Sequence, residues 1–204
     1  MKQPRLIHHG AREGVTGSCH QLWMDEDSSV LIDCGQFQGA DAPDDDELAL
    51  DFAIDGIKAL IITHVHIDHV GRIPNLLAAG FEGPILCSEP SARLLPIVLE
   101  DAFRLTISRD QAYLERYQKI VEQRIIALPY DHWFSLHDTD TAGCKVRLQP
   151  AGHVLGSAYV EFDATKVMCG VYGPRQGGKT GTATNDRGRL DVDVKLATFA
   201  TPGA

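Results

Sequence analysis

Residues 58–63 form a short, almost wholly apolar run rich in β-branched side chains. Three histidines and an aspartate follow it at once, as His64-Val65-His66-Ile67-Asp68-His69. The apolar run predicts a buried strand. Residues 72–79 carry a helical pattern that stops at Gly80. The polar cluster therefore falls on a strand-to-helix loop, and the chain must fold so that a buried strand delivers it to an edge. That requirement points to a layered α/β architecture.

The spacing of the cluster suits convergence. While the chain stays extended, His64 and His66 share one face. Asp68 and His69 then project from the turn or the first helical residues. Neutral imidazole and carboxylate suit zinc, and also manganese or iron. A single histidine would be read as an ordinary core or surface residue, whereas this density of donors predicts a metal centre. One further imidazole stands out: His153, in Pro150-Ala151-Gly152-His153-Val154-Leu155-Gly156-Ser157. Glycines on both sides of it let the backbone turn sharply. His64, His66 and His153 would give three imidazoles with a position left open for water, the layout of a hydrolytic zinc. Asp33, ahead of a glycine in Leu31-Ile32-Asp33-Cys34-Gly35, ends a strand and is placed to orient a ligating histidine from behind. His8, His9, His20, His132 and His137 lack partner spacing and read as ordinary histidines. Asp131 and His132 could at most border the site.

The rest of the chain supplies the layers. Strands are expected over 5–8, 20–24, 29–33 and 83–87, separated by Gly-rich or acidic turns. From 91 to 126 the apolar residues recur at helical spacing, through Leu94, Leu95, Val98, Leu99, Phe103 and on through Tyr113, Tyr117, Ile120, Val121 and Ile125. This reads as one long helix or two consecutive ones, broken near 106–110, with Pro96 near the start. Its aromatic stripe is core packing. After Pro129 the chain returns to strands over 145–150, 158–163 and 166–172. The acidic stretch 41–47 reads as a solvated loop.

Composition narrows the function classes. The formal net charge of −9 is unusual for a protein that grips nucleic acid through many phosphate contacts. It leaves open a site in which metal ions neutralise the phosphate locally. The five cysteines are dispersed, with no Cys-x-x-Cys pair, and form no disulfide framework. No apolar run reaches membrane-spanning length. The N-terminus has no apolar core of the signal-peptide kind. The expectation is a cytoplasmic protein with no membrane contact.

The motifs together resemble a known family. His64-Val-His-Ile-Asp-His69 is similar to the H-x-H-x-D-H signature of the metallo-β-lactamase fold, Asp33 to its first motif and His153 to its third. Gly14-Val-Thr-Gly-Ser-Cys19, Asp33-Cys-Gly-Gln-Phe-Gln-Gly39 and Ala151-Gly-His-Val-Leu-Gly-Ser157 resemble the β-CASP branch of RNA- and DNA-processing nucleases. The resemblance covers about residues 5–163. It implies an αββα sandwich, here truncated, with metal at one edge of the sheets. By the family pattern His64, His66 and His153 would hold a first ion, and Asp68 and His69 a second and the catalytic roles. The implied cofactor is Zn2+, one ion or two, with Mn2+ as the other candidate. The implied reaction is hydrolysis of RNA phosphodiesters by metal-activated water, and the implied partners are RNA as substrate and a homo-oligomer or an RNA-processing complex.

The pattern breaks downstream. The family's bridging aspartate is expected on the strand near 166–172, which reads Lys-Val-Met-Cys-Gly-Val-Tyr and contains none. No histidine follows His153. Asp68 and His69 alone are few donors for a second ion. Residues 166–175 and 185–200 instead resemble the start of an RNase PH domain, as in exosome ring subunits. The expected organisation is a metallo-β-lactamase-like part over 1–163 and an RNase PH-like fragment or foreign tail over 164–204. Gly173-Pro-Arg-Gln-Gly-Gly-Lys-Thr180 fits the P-loop spacing, but the segment after it is a poor helix, so it reads as a Gly-rich hairpin loop. The competing functions are a zinc hydrolase of a small ester or thioester, and a non-catalytic RNA-processing or exosome-like subunit.

Overall fold

The structure is a computed structural model. It describes residues 4–12, 14–42, 50–136 and 144–150, together with the strand backbones 157–162 and 165–169. His137, His153, the 173–180 segment and the tail from 170 onward lie outside the described residues, as do 43–49 of the acidic stretch.

Six strands make the first sheet in chain order: β1 (Arg5–Gly10), β2 (Cys19–Trp23), β3 (Ser29–Ile32), β4 (Ile57–Ile61), β5 (Ile85–Ser88) and β6 (Ile125–Leu128). The first three run as an antiparallel meander, and β3 to β6 are parallel. Parallel neighbours need crossovers, which the helices provide. Helices α1 (Ile67–Val70) and α2 (Ile73–Ala78) join β4 to β5, and α3 (Glu89–Thr106) and α4 (Gln111–Arg124) join β5 to β6. The second sheet is antiparallel, in the order β10-β9-β8-β7, from β7 (Phe134–Ser135), β8 (Lys145–Gln149), β9 (Ser157–Phe162) and β10 (Thr165–Cys169).

Alternation along the central strands decides the layers. Leu31, Leu60, Ile62, Ile85 and Cys87 face a core built with Leu95, Leu99 and Phe103 of α3 and Leu114, Tyr117 and Val121 of α4. Val30, Ile32, Ala59, Ile61 and Leu86 face the other way, onto Leu136, Cys144, Val146 and Leu148 at the second sheet. Most of these side chains are fully buried, and each contributes about 1.5–3 kcal/mol against exposure. Helices, sheet and second sheet are thus three consecutive layers of the expected αββα sandwich. Part of the stripe of α3 and α4 is core, as its spacing predicted: Leu95, Leu99, Phe103, Tyr117 and Val121 are buried, and Phe103 and Tyr117 stack with ring centroids 4.5 Å apart, whereas Leu94, Tyr113 and Ile120 of the same stripe are exposed.

The helical boundaries follow from caps. Ser88 accepts from the Ser91 amide at 3.3 Å, so α3 begins at Glu89 and carries Pro96 in its interior rather than near its start. Asp110 accepts from the amides of Ala112 (2.8 Å) and Tyr113 (3.3 Å), which starts α4 after the expected break. The helical reading of Ile125 is corrected. Residues 125–128 form β6, in register with β5 from Ile85↔Ile125 to Ser88↔Leu128. Pairing with a buried parallel neighbour outweighed the local helical spacing. The helix read over 72–79 is Ile73–Ala78, with the short α1 ahead of it.

Candidate metal centre

The C-terminal ends of β3 and β4 lie side by side, and each delivers one half of the site. Beyond β4, Thr63 and His64 are buried, the chain bends at Thr63, and His66, with extended backbone, is the N-cap of α1. Asp68 and His69 occupy the single turn of α1. The ring centroids of His64 and His66 are 4.8 Å apart, and those of His64 and His69 are 3.9 Å apart. His69 Nε2 lies 3.6 Å from Asp68 Oδ2. The four residues of the H-x-H-x-D-H run are thus linked in a row of pairwise contacts, from His66 through His64 and His69 to Asp68. His64 and His69 are buried, while His66 is exposed.

Asp33 is the pivot beneath them. It is fully buried and stands at φ 59°, a left-handed conformation uncommon for a residue other than glycine. Its carboxylate is over-determined. Oδ1 accepts from the Thr63 amide at 2.8 Å, and Thr63 Oγ1 lies 3.0 and 2.8 Å from the two oxygens. Oδ2 accepts from Ser18 Oγ at 3.0 Å and meets His69 Nδ1 at 2.7 Å. Burial pushes the Asp33 carboxyl up, but the His69 charge, its hydrogen bond and those from Thr63 outweigh it, and the net direction is down. Burial pulls His69 down, yet the Asp33 carboxylate, the hydrogen bond to it and Asp68 carry the net direction up. With Nδ1 held by Asp33, His69 presents Nε2 on the Asp68 side.

Backbone contacts lock the two loops together. Ser18 N donates to Asp68 O (2.8 Å), Cys34 N to His69 O (2.9 Å), and Gly35 N to Ser18 O (2.8 Å). A Cβ at Gly35 would run into the carbonyl of Asp68, so glycine is required for this close approach. Arg72 is fully buried. Its Nε donates to Gly35 O at 2.5 Å, and its guanidinium lies 4.6 Å above the Phe37 ring.

Ser18, Thr63 and Arg72 are site residues that the spacing of histidines did not reveal. Thr63, directly ahead of His64, and Ser18, in Gly17-Ser18-Cys19, had only their adjacency to motif residues as a signal. His20, read as ordinary, joins the periphery: its Nε2 lies 3.5 Å from Ser18 Oγ. Asp131 pairs with Gln149 at 3.0 Å, and His132 with its own turn at Tyr130. Asp41, read as part of a solvated loop, is tied down. Oδ2 accepts from the amides of Val15 (2.8 Å) and Thr16 (3.0 Å) and from the Thr16 hydroxyl at 3.0 Å. Those bonds hold its carboxyl below the usual range.

The donor set is the imidazole and carboxylate mixture that borderline divalent ions take. Among the described residues, no three His, Cys, Asp or Glu side chains are grouped closely enough to hold an ion. His153, the expected third imidazole, lies outside the described residues.

With that geometry, the chain belongs to the Metallo-beta-lactamase superfamily, whose sequence model matches residues 13–165. The superfamily implies binding of a divalent metal. A second model, that of the 3′ exoribonuclease family, domain 1, matches residues 143–204. Among relatives, the chain is 34% identical over 154 residues to transcription termination factor FttA of Cenarchaeum symbiosum, covering 73% of this chain and 23% of that protein. It is 33% identical over 159 residues to a ribonuclease of Thermus thermophilus, covering 76% and 34%. It is 30% identical over 207 residues to cleavage and polyadenylation specificity factor subunit 3-II of Arabidopsis thaliana, covering 94% and 32%. The chain thus spans about a quarter to a third of the length of these relatives.

Proposed function

We propose that this chain carries the metal-binding part of a β-CASP-type, zinc-dependent ribonuclease. The observation that carries the reading is the His64/His66/Asp68/His69 cluster seated on the buried Asp33–Thr63–Ser18 network. The names of the relatives support RNA as the substrate, over the small esters and thioesters that the general fold also allows.

In this reading His64, His66 and His153 hold one Zn2+, and Asp68 and His69 serve a second ion and the reaction. Bound zinc would supply a water with its pKa lowered toward about 7 and a Lewis acid for the phosphoryl oxygen. The chain's own residues do the rest. Asp33 fixes the tautomer and ring orientation of His69 through Nδ1, which leaves Nε2 as the ligating nitrogen. Thr63 Oγ1, 3.2 Å from His64 Nδ1, does the same for the neighbouring ring. Mn2+ is the alternative ion.

We take residues 1–163 as the metallo-β-lactamase-like part and 164–204 as an RNase PH-like fragment. The match of the exoribonuclease family over 143–204 favours that second reading of the tail. A homo-oligomer or an RNA-processing complex is the assembly this suggests. The cytoplasm is the compartment we favour, since Cys19, Cys34, Cys87 and Cys144 are buried free thiols. No described helix is long and apolar enough to cross a membrane.

The test is metal analysis of the purified chain alongside cleavage of a labelled RNA, with and without EDTA. Bound zinc and EDTA-sensitive cleavage, both lost in His66→Ala, are expected. Metal-loaded protein that leaves RNA intact while hydrolysing a small ester would overturn the choice of substrate.

A further inference from the structure

A second pair of histidines lies on the β1–β2 hairpin, outside the H-x-H-x-D-H cluster. His8 and His20 are cross-strand partners in the antiparallel register. Their rings meet edge-on with centroids 4.9 Å apart, and the two Nδ1 atoms are 2.9 Å apart. We propose that His8 and His20 form an accessory cation site, taking a borderline divalent ion such as Cu2+ or Zn2+ through both Nδ1 atoms.

The hydrogen-bond directions carry the argument. Ser18 Oγ donates to Asp33 Oδ2 at 3.0 Å, because a carboxylate can only accept. Toward His20 Nε2, at 3.5 Å, Ser18 therefore acts as acceptor, and the His20 proton sits on Nε2. That leaves the Nδ1 lone pair of His20 on the side of His8, whose Nδ1 is 2.9 Å away. Without a cation, His8 donates Nδ1–H into that lone pair. His8 is exposed, so it can move its proton to the solvent-facing Nε2 at little cost. Two unprotonated Nδ1 atoms then stand side by side on adjacent strands, and a small rotation of the exposed His8 ring turns both lone pairs toward one ion.

The spacing agrees with a chelate. Two nitrogens each about 2.0–2.1 Å from one ion, at 90–109° to each other, are roughly 2.8–3.4 Å apart. Burial pulls His20 down to about 4, and burial with Arg12 and His9 pulls His8 down as well. Both rings are thus neutral near pH 7, the form that ligates. Water fills the remaining positions at the exposed end. His9 does not contribute: its Nε2 contacts Gln21 Oε1 at 2.9 Å and its ring stacks on Phe52.

The experiment titrates the purified, metal-stripped full chain with Cu2+, the divalent ion with the highest affinity for such donors. Bound copper is counted by equilibrium dialysis and its nitrogen ligands by EPR. Loss of one Cu2+ per chain is expected in His8→Ala, with the lost signal showing two imidazole nitrogens. That ion should persist in His9→Ala and in a His64→Ala/His66→Ala variant. Equal copper binding and identical spectra for the unaltered chain and His8→Ala would overturn the proposal. The exposed His8 side chain carries the decisive comparison, which stands whether or not the double variant folds. RNA cleavage is measured separately, so failure of one reading leaves the other standing.

Discussion

Two contacts made by histidines, His69 with Asp33 and His8 with His20, differ in what surrounds them. His69, beside Asp33, is buried, and every oxygen of its partner is engaged by Thr63 or Ser18. His8, beside His20, is exposed, and its ring has only that one close side-chain contact among those described. In the first pair the fold fixes the ring of His69 and carries the cost of a buried charge. In the second the fold fixes only one partner, His20, and leaves the other free to change tautomer. The contrast separates a rigid, over-determined site from an adjustable one, and mutations should report it as a gradient of stability effects.

The largest effect is expected at Asp33. Asp33→Ala removes the acceptor of the Thr63 amide, the Ser18 hydroxyl and His69, all buried. Breaking such a buried charged pair costs about 3–5 kcal/mol. A urea melt that shifts by less than about 1 kcal/mol would erase the distinction between the two pairs. With His69 as a ligand, as proposed, metal affinity should fall about 10–100-fold when it loses its orienting partner.

His20 comes next, through pH. Its folded pKa, lowered by burial to about 4, lies below the ordinary value of 6.5. The unfolded chain therefore binds a proton between those values that the folded chain does not. This group's contribution to stability is complete above pH 6.5 and is lost as the pH falls toward 4. The loss is on the order of 2 kcal/mol, given at most 1.36 kcal/mol per pH unit and some solvent access. His20→Gln should flatten that part of the acid limb in melts taken from pH 7 to 4.5, and an unchanged limb would sink the assignment.

Ser18→Ala should follow with about 1 kcal/mol. It takes one bond from Asp33 but leaves those from Thr63 and His69. A loss as large as that of Asp33→Ala would mean the carboxylate depends on a single donor, and the claim of over-determination would fail.

What could be seen in the sequence follows the range of the forces involved. The buried strand before His64 and the helical spacing of Leu95, Leu99, Tyr117 and Val121 are local periodicities, and the structure keeps them. Asp33 was visible because it ends a strand ahead of a glycine. Ser18 and Thr63 were not, because they acquire their roles only from Asp33, 15 and 30 residues away. The strand at Ile125–Leu128 was hidden for a related reason. Its isoleucines continue the helical spacing of α4, and only the parallel register with Ile85–Ser88 makes them a strand. The pairing of His8 with His20 depends likewise on hairpin register, 12 residues apart. In each of these cases the deciding contact is tertiary.

The smallest effect is expected at His8. Its side chain is exposed, and removing it exchanges one imidazole contact for water. His8→Ala should change stability by less than about 0.5 kcal/mol. This near-silence is informative because His8 stands directly opposite His20, which is half-buried. A loss of about 2 kcal/mol would show that the outer pair also holds the hairpin together, and that His8 is not free to change tautomer. Thermal melts of His8→Ala and His9→Ala side by side would sharpen the point. His9 stacks on Phe52 with centroids 4.0 Å apart and contacts Gln21. It should be the more costly loss on the same strand.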